Sequence, residues 1–316
     1  MKRILRLSLL ILISIVVLFI LKIAIQGIPS YEVVTLEYSI NSSPEKIERG
    51  KKLALMLCAN CHRNPETGNL TGSLMLDAPP EFGKIYSQNI TNDKQYGIGG
   101  WTDGELLYLL RTGIKRDGTY SPPYMAKLPK MSDDDIESII AFLRSDDKMV
   151  QADPTPDQPV EPSFLTKFLC QVAFKPLPMP EQPIPMPDTT DQVALGKYYA
   201  QNLECFSCHS ADFKTNDFLN PEKSEGYFGG GNKPLNRKGQ VILTSNLTPH
   251  ETGINKYTEE EFIKTLRFGL MKDQNPLRYP MVPYPHLTEY EAGAIFKYLK
   301  TIEPIDNKIE RQFYDN

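Results

Sequence analysis

The sequence predicts an all-α chain: two copies of one helical unit, joined by a Pro-rich linker and preceded by an N-terminal helix long enough to cross a membrane. Three observations carry that expectation. A basic start is followed by a long apolar run. A set of residue pairs recurs at a fixed spacing. Helix-start signatures then fall in the same register in both copies.

The start of the chain is read first. Met1 to Arg6 is basic, and Leu7 to Leu21 is apolar apart from Ser8 and Ser14. Lys22 interrupts the run and Ile23-Ala-Ile25 extends it. About 20 apolar residues suffice to span a bilayer as a helix, with Lys22 reaching the far interface. The basic end stays in the cytoplasm, so the body lies outside. Residues 1–30 are therefore an anchor or a signal segment. The uncleaved anchor is favoured because no small-x-small cleavage site precedes Gly27. Lys2, Arg3, Arg6 and Lys22 are the only charges there; set against a formal net charge of −4 for the 316-residue chain, they leave −8 over residues 31–316. A mildly acidic body argues against nucleic-acid binding and suits a basic partner surface.

The first unit is placed at residues 43–148. Ser43-Pro44 opens a helix, Ser as N-cap and Pro at N1, and Gly50 on it suits close packing against another helix. The second unit, residues 188–303, has Gly196 in the matching place. Downstream, Asn89-Ile-Thr91 recurs as Asn246-Leu-Thr248, Gly97 as Gly253, Trp101-Thr102 as Tyr257-Thr258, and Arg111-Thr-Gly113 as Arg267-Phe-Gly269. Met125 recurs as Met281 and Ser132 as Thr288, all at offsets of 156 or 157. Capping boxes are expected at Thr102/Glu105, Thr258/Glu261 and Thr288/Glu291, with a weaker Asp version at Ser132/Asp135. Each precedes an apolar stripe of helical period. Gly113 and Gly269 sit where helices end.

Residues 149–187 hold ten of the chain's 26 prolines, which excludes helix over most of them and predicts a semi-extended linker. Phe164 to Phe174 is the exception, a short apolar helix. Cys170 within it reads as a buried inert thiol rather than a lipidated or dimer-linking one. Residues 304–316 form a tail. The Gly229-Gly-Gly231 run reads as a flexible loop and not as a phosphate cradle, because no strand precedes it and no Lys-Ser/Thr follows.

The chemistry lies in Cys58-Ala-Asn-Cys61-His62 and its copy Cys205-Phe-Ser-Cys208-His209. C-x-x-C-H is the attachment signature of c-type haem. Two thiols three positions apart on one helical turn reach both vinyl groups of a porphyrin, and the adjacent His lies under the iron. A zinc site needs further Cys or His nearby, and only Cys170 is left over. A thioredoxin-like pair needs strand–helix alternation, which is missing. The expectation is two covalent haem c groups, with His62 and His209 as proximal iron ligands.

The sixth iron position decides the function. His62 is the only histidine of the first half, so a second imidazole from that half is impossible. Met125 lies 63 residues beyond His62 and Met281 lies 72 beyond His209. Both occupy Pro- and Tyr-rich loops that hold a thioether at low entropic cost, and both are assigned as distal ligands. Met131 aligns with Leu287 and reads as core; Met75, Met149 and Met271 read as packing. His286 is a weak competitor for the second iron, and His250 an exposed loop residue. Arg111, Arg267 and Trp101 read as helix-end caps and core rather than as partners of haem propionates.

These residues make the chain resemble a tandem class I-type cytochrome c. More specifically, the Asn-Ile/Leu-Thr, Gly, Trp/Tyr-Thr, Arg-x-Gly, Pro/Tyr-Met and Ser/Thr-x-x-Glu/Asp series is similar to the haem domains in cytochrome subunits of membrane-bound bacterial alcohol and gluconate dehydrogenases. The resemblance covers about residues 43–148 and 188–303. Those subunits usually have three such domains, where this sequence has two. It implies two cytochrome c-like domains in an exported, membrane-anchored di-haem electron carrier, not itself an enzyme. The haem domains would face the periplasm from the bacterial inner membrane. Partners would be redox proteins: a dehydrogenase or quinol-side donor, and a cytochrome or oxidase acceptor. The alternative, a di-haem peroxidase, needs an open or His-switched iron and a distal acid–base group. A haem-based gas sensor needs an appended signalling domain.

Overall fold

The computed structural model describes residues 2–273 and 275–310, so residues 311–316 of the expected tail lie outside the described residues. Helix α1 (Lys2–Gln26) is apolar and long enough to cross a membrane. Its lower end docks on the body: Ile23 is buried, and the Phe19 ring meets Phe168 edge-on.

The first half contains α2 (Pro44–Leu57), the single turn α3 (Ala59–His62), α4 (Asp103–Thr112) and α5 (Asp133–Leu143). After α6 (Phe164–Val172), the second half repeats the order with α7 (Gln192–Asn202), α8 (Cys205–His209), α9 (Glu259–Phe268) and α10 (Glu289–Leu299). Full capping boxes start α4, α9 and α10. At α5 the Ser132 side chain accepts from the Asp135 N–H, while the Asp135 carboxylate accepts from Arg49 and Tyr198.

In each half the first and last helices cross at a glycine. A Cβ on Gly50 would stand 1.7 Å from the Ser138 carbonyl oxygen, and one on Gly196 would stand 1.9 Å from that of Ala294. Ser138 and Ala294 are related by the same register as the methionines, so the crossing repeats with its contact atoms. The Asn-x-Thr pairs repeat as well. Asn89 Oδ1 accepts from the N–H and hydroxyl of Thr91, and Asn246 Oδ1 from those of Thr248. Each Asn amide then donates to the segment that follows the last helix of its half: Asp153 and Thr155 carbonyls for Asn89, Ile305 for Asn246.

Residues 149–187 form a strap tied along the first half. A short antiparallel pair joins β1 (Gly83–Lys84) to β2 (Glu161–Pro162). Tyr120 donates to the Lys175 carbonyl, Leu177 N–H donates to Thr112, and Asp133 N–H donates to Ile184. Cys170 is fully buried on α6, and burial pushes its thiol up to about 11, as an inert core cysteine requires.

The halves share one continuous apolar core, sealed by a polar seam. Arg49 of α2 makes two 2.8 Å bonds to Asp135 and one of 2.8 Å to the Tyr199 hydroxyl. Lys52 pairs with Glu291, and Tyr198 donates to Asp135 at 2.6 Å.

Candidate functional site

Both C-x-x-C-H runs are single helical turns following the first helix of their half. Cys58 ends α2, and its carbonyl accepts from Cys61 and His62 N–H groups. Before the second run Glu204 takes a left-handed φ of 52° and breaks α7 from α8. None of the cysteines is paired in a disulfide, and burial pushes the thiols up, Cys58, Cys61 and Cys205 to about 12 and Cys208 to about 11.

The two imidazoles are held alike. His62 Nδ1 lies 2.7 Å from the Gln88 carbonyl, and His209 Nδ1 lies 2.8 Å from that of Ser245. A carbonyl only accepts, so Nδ1 carries the proton and Nε2 keeps its lone pair, the tautomer a metal-bound histidine needs. Burial lowers both imidazole pKa values, opposed by those carbonyl bonds. The backbone behind each ring repeats too. Gly72 N–H donates to the His62 carbonyl and Gly230 N–H to that of His209.

Gly230 corrects one expectation. The Gly229–Gly231 stretch is not a flexible loop: Gly229 and Gly230 are buried, and a Cβ on Gly230 would come within 2.6 Å of Thr244, Ser245 and Asn246 backbone atoms. Only a glycine lets the chain pass so close to the backbone that carries the Ser245 carbonyl.

The Met loops sit in matching frames. Met125 is bracketed by Ser121 N–H to Gly113 O and Leu128 N–H to Leu110 O; Met281 is bracketed by Leu277 N–H to Gly269 O and Tyr284 N–H to Leu266 O. These four bonds are register-equivalent and span 2.7–2.8 Å. Met125 Sδ accepts from Ser121 Oγ at 3.3 Å. Tyr284 is pushed up by burial first and then by the nearby Cys205, Cys208, Glu204 and Cys61. Met131 and Leu287 are both core, as their alignment implies, and His286 is exposed.

The two motifs lie on either side of the seam. Asp77 of the first half and Glu204 of the second both raise the Cys61 and Cys208 thiols, after burial. Asp77 accepts from the Tyr279 hydroxyl at 3.0 Å, tying the Met281 loop to the first half. Burial pushes Glu204 up and Lys127, its cross-seam neighbour, down.

The arginines depart from simple helix caps. Arg111 is fully buried and donates to the Leu128 and Met131 carbonyls and to Asp133. Its Nε, and that of its register partner Arg267, are buried without a partner. Two orphaned cationic donors at equivalent places, beside the Met loops, are what an anionic group bound in each half would satisfy.

Sequence reasoning missed the partners of the histidines. Gln88 and Ser245 each directly precede the repeated Asn-x-Thr, which is the available signal, but they act through backbone carbonyls, so side-chain identity is silent. The donor set fits haem c in both halves: two thiols on one turn, and an imidazole with Nδ1 committed and Nε2 available.

The cytochrome c family matches residues 47–146. The chain is 28% identical over 279 residues to the alcohol dehydrogenase (quinone) cytochrome c subunit of Gluconacetobacter polyoxogenes, covering 82% of this chain and 56% of that one. Identity is 26% over 272 residues to the fructose dehydrogenase cytochrome subunit of Gluconobacter japonicus, covering 81% of this chain and 52% of that one. It is 26% over 263 residues to a diheme cytochrome c-type protein of Cereibacter sphaeroides, covering 79% and 83%. The chain thus spans about half the length of the dehydrogenase subunits it matches. Residues 47–146 match the cytochrome c family, and the chain is similar over most of its length to the cytochrome c subunits of alcohol, fructose and gluconate dehydrogenases.

Proposed function

We propose that the chain is an exported, membrane-anchored di-haem cytochrome that carries electrons as a dehydrogenase subunit or beside one. Two cytochrome c domains, residues 43–148 and 188–303, each hold one haem. Cys58, Cys61, Cys205 and Cys208 are the attachment thiols; His62 and Met125 ligate one iron, His209 and Met281 the other. The observation that carries the reading is the identical imidazole geometry in both halves, Nδ1 to a carbonyl at 2.7 and 2.8 Å. Haem c, when bound, supplies a one-electron carrier. The protein's part is to keep each imidazole in one tautomer, to keep each thioether on a loop anchored at both ends, and to exclude water. Helix α1 supports an inner-membrane location with the haem domains in the periplasm.

The test is a haem assay with optical spectroscopy on the purified full chain. Two covalent haems per polypeptide, six-coordinate and inert to carbon monoxide, are expected. One haem per chain, or ready carbon monoxide uptake, overturns the proposal.

A further inference from the structure

Helix α6 is amphipathic inside out. Wound at about 3.6 residues per turn, it turns its two buried residues, Thr166 and Cys170, toward the first half. The Thr166 hydroxyl donates to the Phe82 carbonyl at 2.6 Å. The large apolar residues occupy the other side. Phe164 is 46% exposed, Leu165 41% and Val172 49%, and Phe168 and Leu169 share that side. A helix packed on a protein core in water buries such residues and leaves its polar ones out. The last described segment is tied elsewhere: Ile305 N–H donates to Thr248 and Asn307 N–H to Thr252, both in the second half.

The neighbour on the apolar side is α1. The Phe19 and Phe168 rings meet edge-on with centroids 6.3 Å apart, and Gln171 Nε2 donates to the Gly27 carbonyl at 3.2 Å. The apolar run from Leu7 to Ile25 measures about 27 Å at about 1.5 Å per residue, close to the ~30 Å of a bilayer's hydrocarbon core. Ile25 then marks the outer edge of the hydrocarbon, and Phe19 lies about 9 Å below it along the helix. A ring in contact with Phe19 sits below that edge. The helix that carries the ring cannot stand clear of the lipid.

We infer that α6 is a second membrane contact: it lies along the outer leaflet, with Phe164, Leu165, Phe168 and Val172 among the acyl chains and Thr166 and Cys170 against the protein. The inference rests on the proposed reading of α1 as a membrane-spanning anchor and goes beyond it. At nine residues α6 is too short to span. An interfacial helix instead sinks its apolar face about 5–10 Å into the boundary of headgroups and acyl chains, which is the depth that Phe19 marks. Lys167 on the flank of α6 and Lys175 just past its end supply cations for the headgroups, on alkyl stems that tolerate apolar surroundings. A single span holds the body near the membrane but lets it turn about the helix axis. The second contact fixes which side faces the bilayer: the side where the strap after α6 bonds to Tyr120 and Thr112.

The experiment uses the full-length holoprotein, reduced, in vesicles of phosphatidylethanolamine and phosphatidylglycerol. A nitroxide is attached in turn to Leu165→Cys, Val172→Cys, the exposed Lys94→Cys and, within α1, Ile13→Cys. Its collisions with oxygen, which concentrates among acyl chains, are compared with those of a water-soluble nickel chelate. Expected are collisions favouring oxygen at 13, 165 and 172 and the reverse at 94, with the haem spectrum of wild type throughout. Collisions favouring nickel at 165 and 172, while 13 still favours oxygen, overturn the inference and leave the anchor standing. So does low access to both reagents at 165 and 172, the mark of a protein segment over this side. Failure of the anchor reading is separate, and would appear as nickel access at 13 or as a mature protein lacking residues 1–26.

Discussion

Arg49 and Asp135 meet through two parallel 2.8 Å hydrogen bonds, and the third arm of the same guanidinium reaches the Tyr199 hydroxyl of the other half at 2.8 Å. One residue of α2 thus closes a helix N-terminus within its own half and locks the second half against it.

Removing that arginine leaves a carboxylate that is 3% exposed beside a buried tyrosine. Breaking a buried pair from one side costs about 3–5 kcal/mol; with Arg49 partly exposed, the lower end applies. Arg49→Ala is expected to lose about 3 kcal/mol in chemical denaturation and to separate the unfolding of the halves.

The glycine crossings make a second prediction. Alanine favours a helix over glycine by about 1 kcal/mol, yet at Gly50 and Gly196 its Cβ would lie 1.7 and 1.9 Å from a backbone oxygen. The helices must part, at an overpacking cost of about 3 kcal/mol. Gly50→Ala and Gly196→Ala should each lower stability by a similar net amount, about 2 kcal/mol, measured as the shift in denaturation midpoint.

Glu291 sets a pH dependence. Burial opposes its ionisation, but Lys52, Tyr199 and the Thr288 N–H outweigh that and hold the carboxyl below its usual range. A depressed folded pKa contributes stability above the unfolded value, about 4.3, and that contribution is lost as pH falls through the folded value. Stability should decline in acid, and Glu291→Gln should bind up to about one proton fewer on unfolding. A proton-uptake slope identical to wild type contradicts this.

The register equivalence of the Met loops predicts equivalent spectra. Met125→Ala and Met281→Ala should each remove about half of the thioether-to-iron charge-transfer absorption and lower the potential of one haem, since axial ligation is a main lever on potential. The double variant should lose the band entirely while keeping two attached haems.

Much of this was legible in advance because its signals are local. Caps at Thr102, Thr258 and Thr288, the helix at 164–172 and the glycine crossings follow from short-range rules that hold wherever the segment ends up. The C-x-x-C-H turns are legible because attachment demands residue identity. The partners of His62 and His209 were not, since any residue offers a carbonyl. The Gly229–Gly231 stretch was misread because a glycine run carries the same composition whether it is free or pinned against neighbouring backbone.

The sequence by itself determined the duplicated helical frame, the two thiol–imidazole turns and the matching register of Met125 and Met281, because these depend on residue identity and spacing along the chain. Only the tertiary structure decided that Gly229 and Gly230 are pinned against the backbone of residues 244–246, and that Arg49 joins the halves. Those outcomes depend on where distant segments come to rest, through contacts that no local pattern of side chains encodes.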